Sequence, residues 1–314
     1  MRIAILDDIH QAWEGTEGVL RLRERAEVAI FTEPFGAPSK LRGFDALIAN
    51  RERTKFTREL LEQLVDVRVI AQTGNHAAHI DFAAARDCGI VIAQASGGYS
   101  IGAAELTIAL ALAVMRQIPT NDAAVRRGEW PVPLTPILHG KTLGILGLGR
   151  VGQHVARLAS AFGMQVLAWS RTLSDATAAA RGARRVELDD LLRAADVVSV
   201  HVSLTPATRG LLDARRIALM KPTAYLVNTA RGPIVDESAL IAALRDKRIA
   251  GAGLDVFDKE PLPPGHPLTK LSNAVLTAHI GWTTDDGYRK FAGSACDVLL
   301  AYLDGREFPR FEQH

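Results

Sequence analysis

The sequence predicts an α/β protein with two doubly wound parallel sheets, and three observations carry this prediction. The chain has 314 residues, which is long for a single core, so two domains are expected. Residues 1–97 alternate short apolar runs with amphipathic stretches, and a second alternating series begins at Lys141. Alternation of this kind is typical of βαβ units, whose strands run in parallel.

The first series contains five apolar runs that we interpret as strands, at residues 3–6, 28–31, 46–49, 69–72 and 91–93. An amphipathic stretch within this series predicts a helix over residues 56–64. A longer helical pattern covers residues 104–127 and ends before the proline-rich residues 130–136. We expect this long helix to connect the two domains.

The second series contains six apolar runs that predict strands, at residues 142–146, 165–169, 197–201, 224–228, 249–255 and 274–277. Six strands with helices between them fit one doubly wound sheet. A last helical pattern covers residues 284–303 and comes too late in the chain to belong to that sheet. We therefore expect it to fold back onto the first domain.

Composition indicates a globular protein and argues against several classes of partner. Hydrophobic residues make up 48% and charged residues 23% of the chain, and the formal net charge is only +2. A chain so close to neutral lacks the basic surface that nucleic-acid binding requires, so no nucleic acid is expected. The apolar run at the N-terminus is stopped by Asp7 and Asp8, and residues 108–115 are too few to span a membrane, so we expect neither a signal peptide nor a membrane partner.

The chain has two cysteines, Cys88 and Cys296, whose spacing matches neither a disulfide framework nor a metal site. We interpret both as reduced thiols that pack as small hydrophobic residues. The sequence thus predicts a cytoplasmic protein without a metal.

A glycine-rich segment follows the predicted strand 142–146 and opens into a helical pattern, with the order Gly147, Leu148, Gly149, Arg150, Val151, Gly152. In this strand-to-helix context the G-x-G-x-x-G spacing favours a dinucleotide, because the glycines allow a tight turn, backbone approach to a pyrophosphate and close helix packing. The anion then lies at the helix N-terminus. The alternative interpretation is a glycine-rich turn that serves packing alone.

The residues that would hold the adenosine ribose depart from the usual NAD pattern, which has an acidic residue about 20 positions after the glycines. Here the predicted strand 165–169 is followed by Ser170, Arg171 and Thr172, and Ser170 lies 18 positions after Gly152. Arg171 can pair with a 2′-phosphate while the two hydroxyl groups donate hydrogen bonds, so we expect NAD or NADP with a preference for NADP. The alternative is an Arg171 that points into solvent; Asp175 is expected in a surface loop.

Three polar residues follow predicted strands of the second series, where doubly wound sheets present ligand-contacting groups. Arg231 follows the strand that ends at Asn228, Glu260 lies five residues beyond Asp255, and His279 follows the last strand. A guanidinium binds a carboxylate bidentately, an imidazole can give and take a proton near neutral pH, and a carboxylate can orient that imidazole. The trio predicts reduction of a small 2-oxo acid or oxidation of a 2-hydroxy acid, with structural roles for Arg231 and His279 as the alternative.

A series of ordered motifs covers nearly the whole chain: Thr73-Gly74-Asn75, Ile80-Asp81, Ala104-Glu105-Leu106-Thr107, Gly140-Lys141-Thr142-Leu143-Gly144-Ile145, Met220-Lys221-Pro222, Asn228-Thr229-Ala230-Arg231-Gly232, Leu254-Asp255-Val256-Phe257, Glu260-Pro261 and His279-Ile280-Gly281. With these motifs the chain resembles the D-isomer-specific 2-hydroxyacid dehydrogenase family, which includes glyoxylate, hydroxypyruvate, glycerate, lactate and phosphoglycerate enzymes.

The resemblance implies residue roles. Arg231 binds the substrate carboxylate, His279 is the acid/base and Glu260 orients it. Asp255 contacts the nicotinamide end of the cofactor, and further cofactor contacts are expected at His201, Thr229 and Ala230. The resemblance also implies that Gly74, Asn75 and His76 bind substrate through backbone amides, although His76 and Ala78 depart from the Gly-x-Gly-x-Asp pattern of the family.

The resemblance further implies a flavodoxin-like substrate domain, residues 1–97 plus 286–314, and a Rossmann cofactor domain, residues 98–285, with the active site in the cleft between them. A homodimer through the cofactor domain is implied as well. The chain ends soon after its last helical pattern, so we expect no additional regulatory domain.

Two alternatives stay open on the sequence. The first is a cofactor-sensing corepressor on the same fold, which would act through protein partners. The second is a formate-type dehydrogenase, which would normally carry Gln in place of Glu260. The sequence does not determine which 2-oxo acid is used; Arg51 and Arg53 are candidates for a second anionic group, with surface ion pairs as the favoured interpretation of both.

Overall fold

A computed structural model describes residues 1–74, 77–96 and 100–311 of the chain. The chain divides into two compact units, which we call unit 1 (Met1–Tyr99 with Thr283–His314) and unit 2 (Ser100–Trp282). Each unit contains a parallel sheet with helices, so the predicted α/β class with two doubly wound sheets is confirmed.

The sheet of unit 1 has five parallel strands in the spatial order β2-β1-β3-β4-β5. This order is the one found in flavodoxin-like sheets. The strands β1 to β5 are Arg2–Ile5, Glu27–Ile30, Ala46–Ala49, Val69–Thr73 and Val91–Ala95. The helices α1 to α3 are Glu17–Arg23, Arg58–Leu61 and Phe82–Asp87, and a 3₁₀ turn covers Pro38–Leu41.

The predicted helix at residues 56–64 is wrong in extent, because only Arg58–Leu61 is helical. Phe56 is fully buried, and its backbone pairs with residue Ile80 in an isolated parallel bridge. The Phe56 amide donates to the His79 carbonyl at 3.0 Å, so this end of the segment is held extended by a distant part of the chain. That contact is not visible in local periodicity.

The sheet of unit 2 has seven parallel strands in the spatial order β12-β11-β10-β9-β6-β7-β8. The strands β6 to β12 are Thr142–Leu146, Gln165–Trp169, Arg184–Arg185, Val197–Val200, Tyr225–Asn228, Gly251–Leu254 and Ala274–Leu276. The strand order reverses between β6 and β9, and ligands bind at such a switch point in doubly wound sheets. The prediction of six strands missed β8, whose two arginines form no apolar run.

The helices α4 to α10 of unit 2 are Ser100–Met115, Ile118–Arg126, Arg150–Ala161, Asp175–Ala180, Leu188–Ala194, Ala214–Ile217 and Glu237–Arg245, and 3₁₀ turns cover Gly232–Ile234 and Pro267–Lys270. The long helix expected at residues 104–127 is thus two helices, α4 and α5. Gln117 between them has a positive φ of 52°, and a proline lies in the first turn of α5, which accepts proline because its amide needs no partner there.

The α4 helix belongs to the core of unit 2 and packs against α6, β10 and β11, rather than serving as a connector. In the part of the chain that the structure describes, no single helix is long and apolar enough to cross a membrane. The helices α4 and α5 together have the length and apolar composition of a membrane span, but a 60° bend separates them.

The last helix, α11, spans Asp285–Leu303 and belongs to unit 1, where it packs against α1, β4 and β5. The Thr284 hydroxyl caps the N-terminus of the helix by accepting a hydrogen bond from the Gly287 amide.

Both cysteines are free. Cys296 of α11 is buried, and burial raises its thiol pKa to about 12, whereas Cys88 is half-buried. The Cys296 thiol is therefore protonated at neutral pH and packs as a small apolar side chain.

Candidate active site

The glycine loop of unit 2 joins β6 to α6 at the switch point of the sheet. Gly147 has a φ of 100°, and a Cβ there would lie 2.7 Å from the Val202 amide nitrogen, so only glycine fits. A Cβ on Gly152 would lie 2.1 Å from the Gly147 carbonyl oxygen, whereas a Cβ on Gly149 would meet no atom within 4 Å. Two glycines thus hold the loop compact, and the third leaves open space over the backbone.

The open space at Gly149 adjoins the first turn of α6, where no side chain caps the helix. Unpaired amides at a helix N-terminus bind anions, so the loop fits the pyrophosphate of a dinucleotide. Leu148 is buried, Val151 is half-buried and Arg150 is exposed at the first helical position. Sequence reasoning missed Arg181, whose guanidinium donates to the Leu148 carbonyl oxygen from beyond α7.

At the end of β7, Ser170 is half-buried, and Arg171 and Thr172 are exposed. The Leu173 amide donates to the Ser170 carbonyl at 3.2 Å, which turns the chain here. Asp175 is the first residue of α7 rather than part of a surface loop, and it is exposed as expected. The corner therefore presents a guanidinium and two hydroxyl groups.

His201 follows β9 and lies beside the glycine loop, since its carbonyl carbon is 2.8 Å from the position of a Cβ on Gly147. The His201 ring contacts the Ser199 hydroxyl, with 2.6 Å between Nε2 and Oγ. Burial lowers the pKa of His201 to about 3, so its imidazole is neutral at physiological pH.

The segment from Asn228 to Arg231 follows β10 and is held by side chains. The buried Asn228 amide accepts from the Ala230 amide and donates to the Arg231 carbonyl, each at 3.0 Å. The Thr229 hydroxyl contacts the Thr107 hydroxyl of α4 at 2.8 Å. These bonds fix the backbone that carries the Arg231 guanidinium, which donates to the Ala230 carbonyl at 2.7 Å.

Close backbone packing brings the Arg231 segment against the Glu260 segment. A Cβ on Gly232 would lie 2.0 Å from the Phe257 carbonyl carbon, so the two backbones are in direct contact. The Phe257 amide in turn donates to Oε1 of Glu260 at 2.9 Å. The motif glycine after Arg231 thereby places a guanidinium and a carboxylate in one region of unit 2.

Glu260 and His279 form a hydrogen bond of 2.7 Å between Oε2 and Nδ1. Within residues 1–74, 77–96 and 100–311, Nε2 of His279 has no hydrogen-bond partner. Burial raises the pKa of Glu260, but the hydrogen bond and charge of His279, the Phe257 amide and Arg231 outweigh it and hold the pKa below its usual value. An ionised Glu260 accepts a hydrogen bond from Nδ1–H of His279 and leaves Nε2 as the ring nitrogen that can exchange a proton.

Asp255 follows β11 and is fully buried. Its carboxylate accepts hydrogen bonds from the backbone amides of Ile280 and Gly281, on the C-terminal side of His279.

No group of three or more His, Cys, Asp or Glu side chains among the described residues could hold a metal ion, and the expected absence of a metal stays a prediction.

The predicted substrate segment of unit 1 begins at Gly74, which has a φ of 88° and follows β4. Asn75 and His76 lie outside the described residues. A Cβ on Gly74 would lie 2.0 Å from Nη1 of Arg51, so the Arg51 side chain covers this glycine.

The interpretation of Arg51 and Arg53 as surface ion pairs needs correction. Arg51 does approach Glu52 at 3.7 Å, but its side chain is only 12% exposed and it lies over the Phe291 ring at 5.5 Å. Arg53 donates to the Asp7 carbonyl at 2.7 Å and to the Tyr288 hydroxyl at 3.2 Å. Both guanidiniums are thus built into unit 1.

The match to a protein-family model decides the family. Residues 108–281 match the model of the D-isomer specific 2-hydroxyacid dehydrogenase, NAD binding domain. The chain belongs to this family. The resemblance inferred from the sequence motifs is therefore confirmed, and the enzyme is an oxidoreductase that acts on the CH–OH group of 2-hydroxy acids with NAD or NADP.

Known proteins similar to this dehydrogenase include two curated enzymes. It is 37% identical over 305 residues to a glyoxylate reductase of Thermofilum pendens, covering 93% of this chain and 90% of the relative. It is 38% identical over 310 residues to a D-3-phosphoglycerate dehydrogenase of Methanocaldococcus jannaschii, covering 97% of this chain but 58% of that protein. This dehydrogenase thus spans little more than half the length of the second relative.

Among solved structures, this dehydrogenase is similar to the TT0316 protein from Thermus thermophilus, with a TM-score of 0.87, 39% identity and 99% of each chain covered. This chain thus shares its fold with the TT0316 protein. The comparisons do not favour the alternative of a corepressor.

Proposed function

We propose that the enzyme reduces a small 2-oxo acid to the D-2-hydroxy acid, with His279 as the acid/base, Glu260 as its orienting partner and Arg231 as the carboxylate anchor. The observation that carries this proposal is the 2.7 Å hydrogen bond between Glu260 and His279. The segment that carries Arg231 packs directly against the segment that carries Glu260. The three groups together meet the chemical needs of a 2-oxo acid.

Each group has a distinct task. The Arg231 guanidinium binds the substrate carboxylate with two parallel hydrogen bonds and so fixes the orientation of the reacting carbonyl. The imidazolium of His279 gives its Nε2 proton to the oxygen of the forming hydroxyl group, and the neutral ring takes it back in the reverse direction. Ionised Glu260 stabilises the imidazolium through Nδ1.

The glycine loop fits a dinucleotide, because Gly149 leaves open space at the N-terminus of α6. The chemistry that the nicotinamide ring supplies when bound is donation or acceptance of a hydride. Contacts are proposed from the glycine loop, from the corner after β7 and from residues near the ends of β9, β10 and β11: Gly147, Leu148, Gly149, Arg150, Val151, Gly152, Ser170, Arg171, Thr172, His201, Thr229, Ala230 and Asp255.

Unit 2 is the cofactor domain and unit 1 the substrate domain in this proposal. Gly74, with Asn75 and His76, forms a substrate-binding segment in unit 1. Because the relatives include glyoxylate reductases and phosphoglycerate dehydrogenases, the substrate is proposed to be a short 2-oxo acid. Specificity constants for glyoxylate, hydroxypyruvate, pyruvate and longer 2-oxo acids test this: a marked preference among the short acids supports the proposal, and no turnover of any 2-oxo acid contradicts it.

NADP is the proposed cofactor, because Arg171, Ser170 and Thr172 are the side chains at the corner after β7. The double variant Ser170→Asp/Arg171→Ala is expected to lower the ratio of kcat/KM for NADPH over NADH by at least about tenfold, since it removes the phosphate partner and adds a ribose partner. Arg184→Ala, an exposed arginine of β8, is the matched control and leaves the ratio unchanged. A wild-type preference for NADH, or an unchanged ratio in the double variant, would refute the NADP assignment.

A homodimer through unit 2 belongs to the same proposal, and an exposed apolar segment after α5 supports it. Trp130, Val132 and Leu134 are 82%, 82% and 103% exposed. A run of exposed large apolar side chains is typical of an interaction surface. Light scattering tests the dimer: twice the mass of one chain supports it, and the mass of a single chain contradicts it.

The cytoplasmic location is proposed from the two free cysteines, since oxidising compartments favour disulfides. The proposed partners are the 2-oxo or 2-hydroxy acid and the dinucleotide. Neither a nucleic acid nor a membrane is proposed, given the net charge of +2. Cell fractionation tests the location, and recovery of the enzyme outside the cytoplasm would contradict it.

A further inference from the structure

The buried carboxylate of Asp255 holds both sides of the segment that carries His279. Its Oδ1 atom accepts hydrogen bonds from the Thr277 hydroxyl at 2.6 Å and from the Ile280 amide at 2.8 Å. Its Oδ2 atom accepts from the Gly281 amide at 2.9 Å. One side chain therefore binds donors that precede and follow His279 in the chain.

The backbone of His279 needs such support because its φ is 56°, in the left-handed region. Residues other than glycine adopt this region only where the surrounding structure holds them there. The donors at Thr277, Ile280 and Gly281 flank His279 in the chain, and the buried Asp255 carboxylate binds all three.

The α4 helix packs against the same segment. A Cβ on Gly281 would lie 3.1 Å from Oδ2 of Asp255 and 3.5 Å from the Cα of Ala103. Gly281 thus packs closely against both the Asp255 carboxylate and the helix, with little room for a side chain. The position of the His279 ring relative to Glu260 depends on this clamped backbone.

We infer that Thr277 and Asp255 position His279 for proton transfer by clamping its left-handed backbone between them, an inference that rests on the proposed function of His279. Neither residue takes part in the chemical step; both act through the His279 backbone. Asp255 then has a task distinct from the cofactor contact that the resemblance implies, and Thr277 has a positioning role.

The decisive variants are Thr277→Val, which removes the hydroxyl group while keeping the β-branched shape, and Thr277→Ser, which keeps the hydroxyl group. A misplaced acid/base is expected to lower kcat about tenfold or more in Thr277→Val, with an unchanged dissociation constant for NADPH. Thr277→Ser is expected to restore wild-type kcat. Asp255→Asn sets an amide N–H₂ against a backbone N–H donor and is expected to lower kcat further.

A second readout uses the cofactor-free enzyme. The pKa of Glu260 is held below its usual value in part by His279, together with the Phe257 amide and Arg231 and against the effect of burial. Carboxyl ¹³C NMR is therefore expected to show a higher Glu260 pKa in Thr277→Val than in the wild type, and a wild-type pKa in Thr277→Ser. A loss of packing alone would not give the Thr277→Val and Thr277→Ser variants different Glu260 pKa values in this way.

Two results would overturn the inference. A Thr277→Val enzyme with wild-type kcat and wild-type Glu260 titration shows that the hydroxyl group does not position His279. Weaker NADPH binding with unchanged kcat in Asp255→Asn shows that the carboxylate serves the cofactor instead. The variant His279→Gln separates these results from a failure of the proposed function: if it keeps full turnover, the role of His279 itself is wrong, whatever the Thr277 variants do.

Discussion

Replacing His279 by Gln is expected to lower turnover by at least about a hundredfold while leaving the affinity for NADPH nearly unchanged. The physical reason is that Nε2 of His279 is the proposed proton donor and acceptor, whereas the glycine loop of β6 and α6 is the main proposed contact of the dinucleotide. The glutamine amide cannot exchange a proton near neutral pH. Steady-state kcat and fluorescence titration with NADPH measure the two quantities.

The matched control for this variant is His266→Gln. His266 also pairs with a carboxylate of unit 2, with 3.1 Å between its Nε2 and Oε1 of Glu237, but it lies outside the proposed site. Its kcat per folded molecule is expected to equal that of the wild type. Equal losses of kcat per folded molecule in the two variants would show that the effect is not specific to His279, and would remove the acid/base role.

The variant Arg231→Lys is expected to lower kcat/KM for the 2-oxo acid by at least about a hundredfold, which corresponds to about 3 kcal/mol of transition-state stabilisation. A lysine keeps the charge, but a single ammonium group cannot reproduce the planar, bidentate fork. The loss should fall on both KM for the acid and kcat, because the carboxylate is bound and oriented by the same group. The KM for NADPH should remain close to that of the wild type.

Arg215→Lys is the control for Arg231→Lys. Arg215 is an exposed arginine that pairs with Asp189 at 2.8 Å, away from the proposed site. Its replacement is expected to leave the kinetic constants unchanged, because exposed ion pairs contribute little. Unaltered kcat/KM in Arg231→Lys would place the carboxylate anchor on another residue.

Local patterns predicted the parts of the molecule that depend on a few neighbouring residues. The five strands of unit 1 and the glycine loop were visible because apolar runs and glycine spacing follow directly from strand geometry and backbone approach. The pairing of Glu260 with His279 was also anticipated, since both residues follow neighbouring strands of one sheet.

What the sequence did not predict depends on contacts between distant segments. The strand Arg184–Arg185 has no apolar run and exists because it pairs with β7. The shortened helix at Arg58–Leu61 reflects the bond of the Phe56 amide to His79. The clamp of Thr277 and Asp255 was missed because its signal lies in the backbone conformation of His279, which periodicity and motifs do not show.

Transfer of deuterium tests most directly whether this enzyme moves a hydride to the C2 atom of a 2-oxo acid. The enzyme is incubated with the accepted 2-oxo acid and NADPH stereospecifically deuterated at the nicotinamide C4 atom, each C4 face in turn, and the product is analysed by mass spectrometry and chiral chromatography. The account predicts one deuterium at C2 of the D-2-hydroxy acid from one of the two labelled faces. An unlabelled product from both faces, or a product of the L configuration, would contradict it.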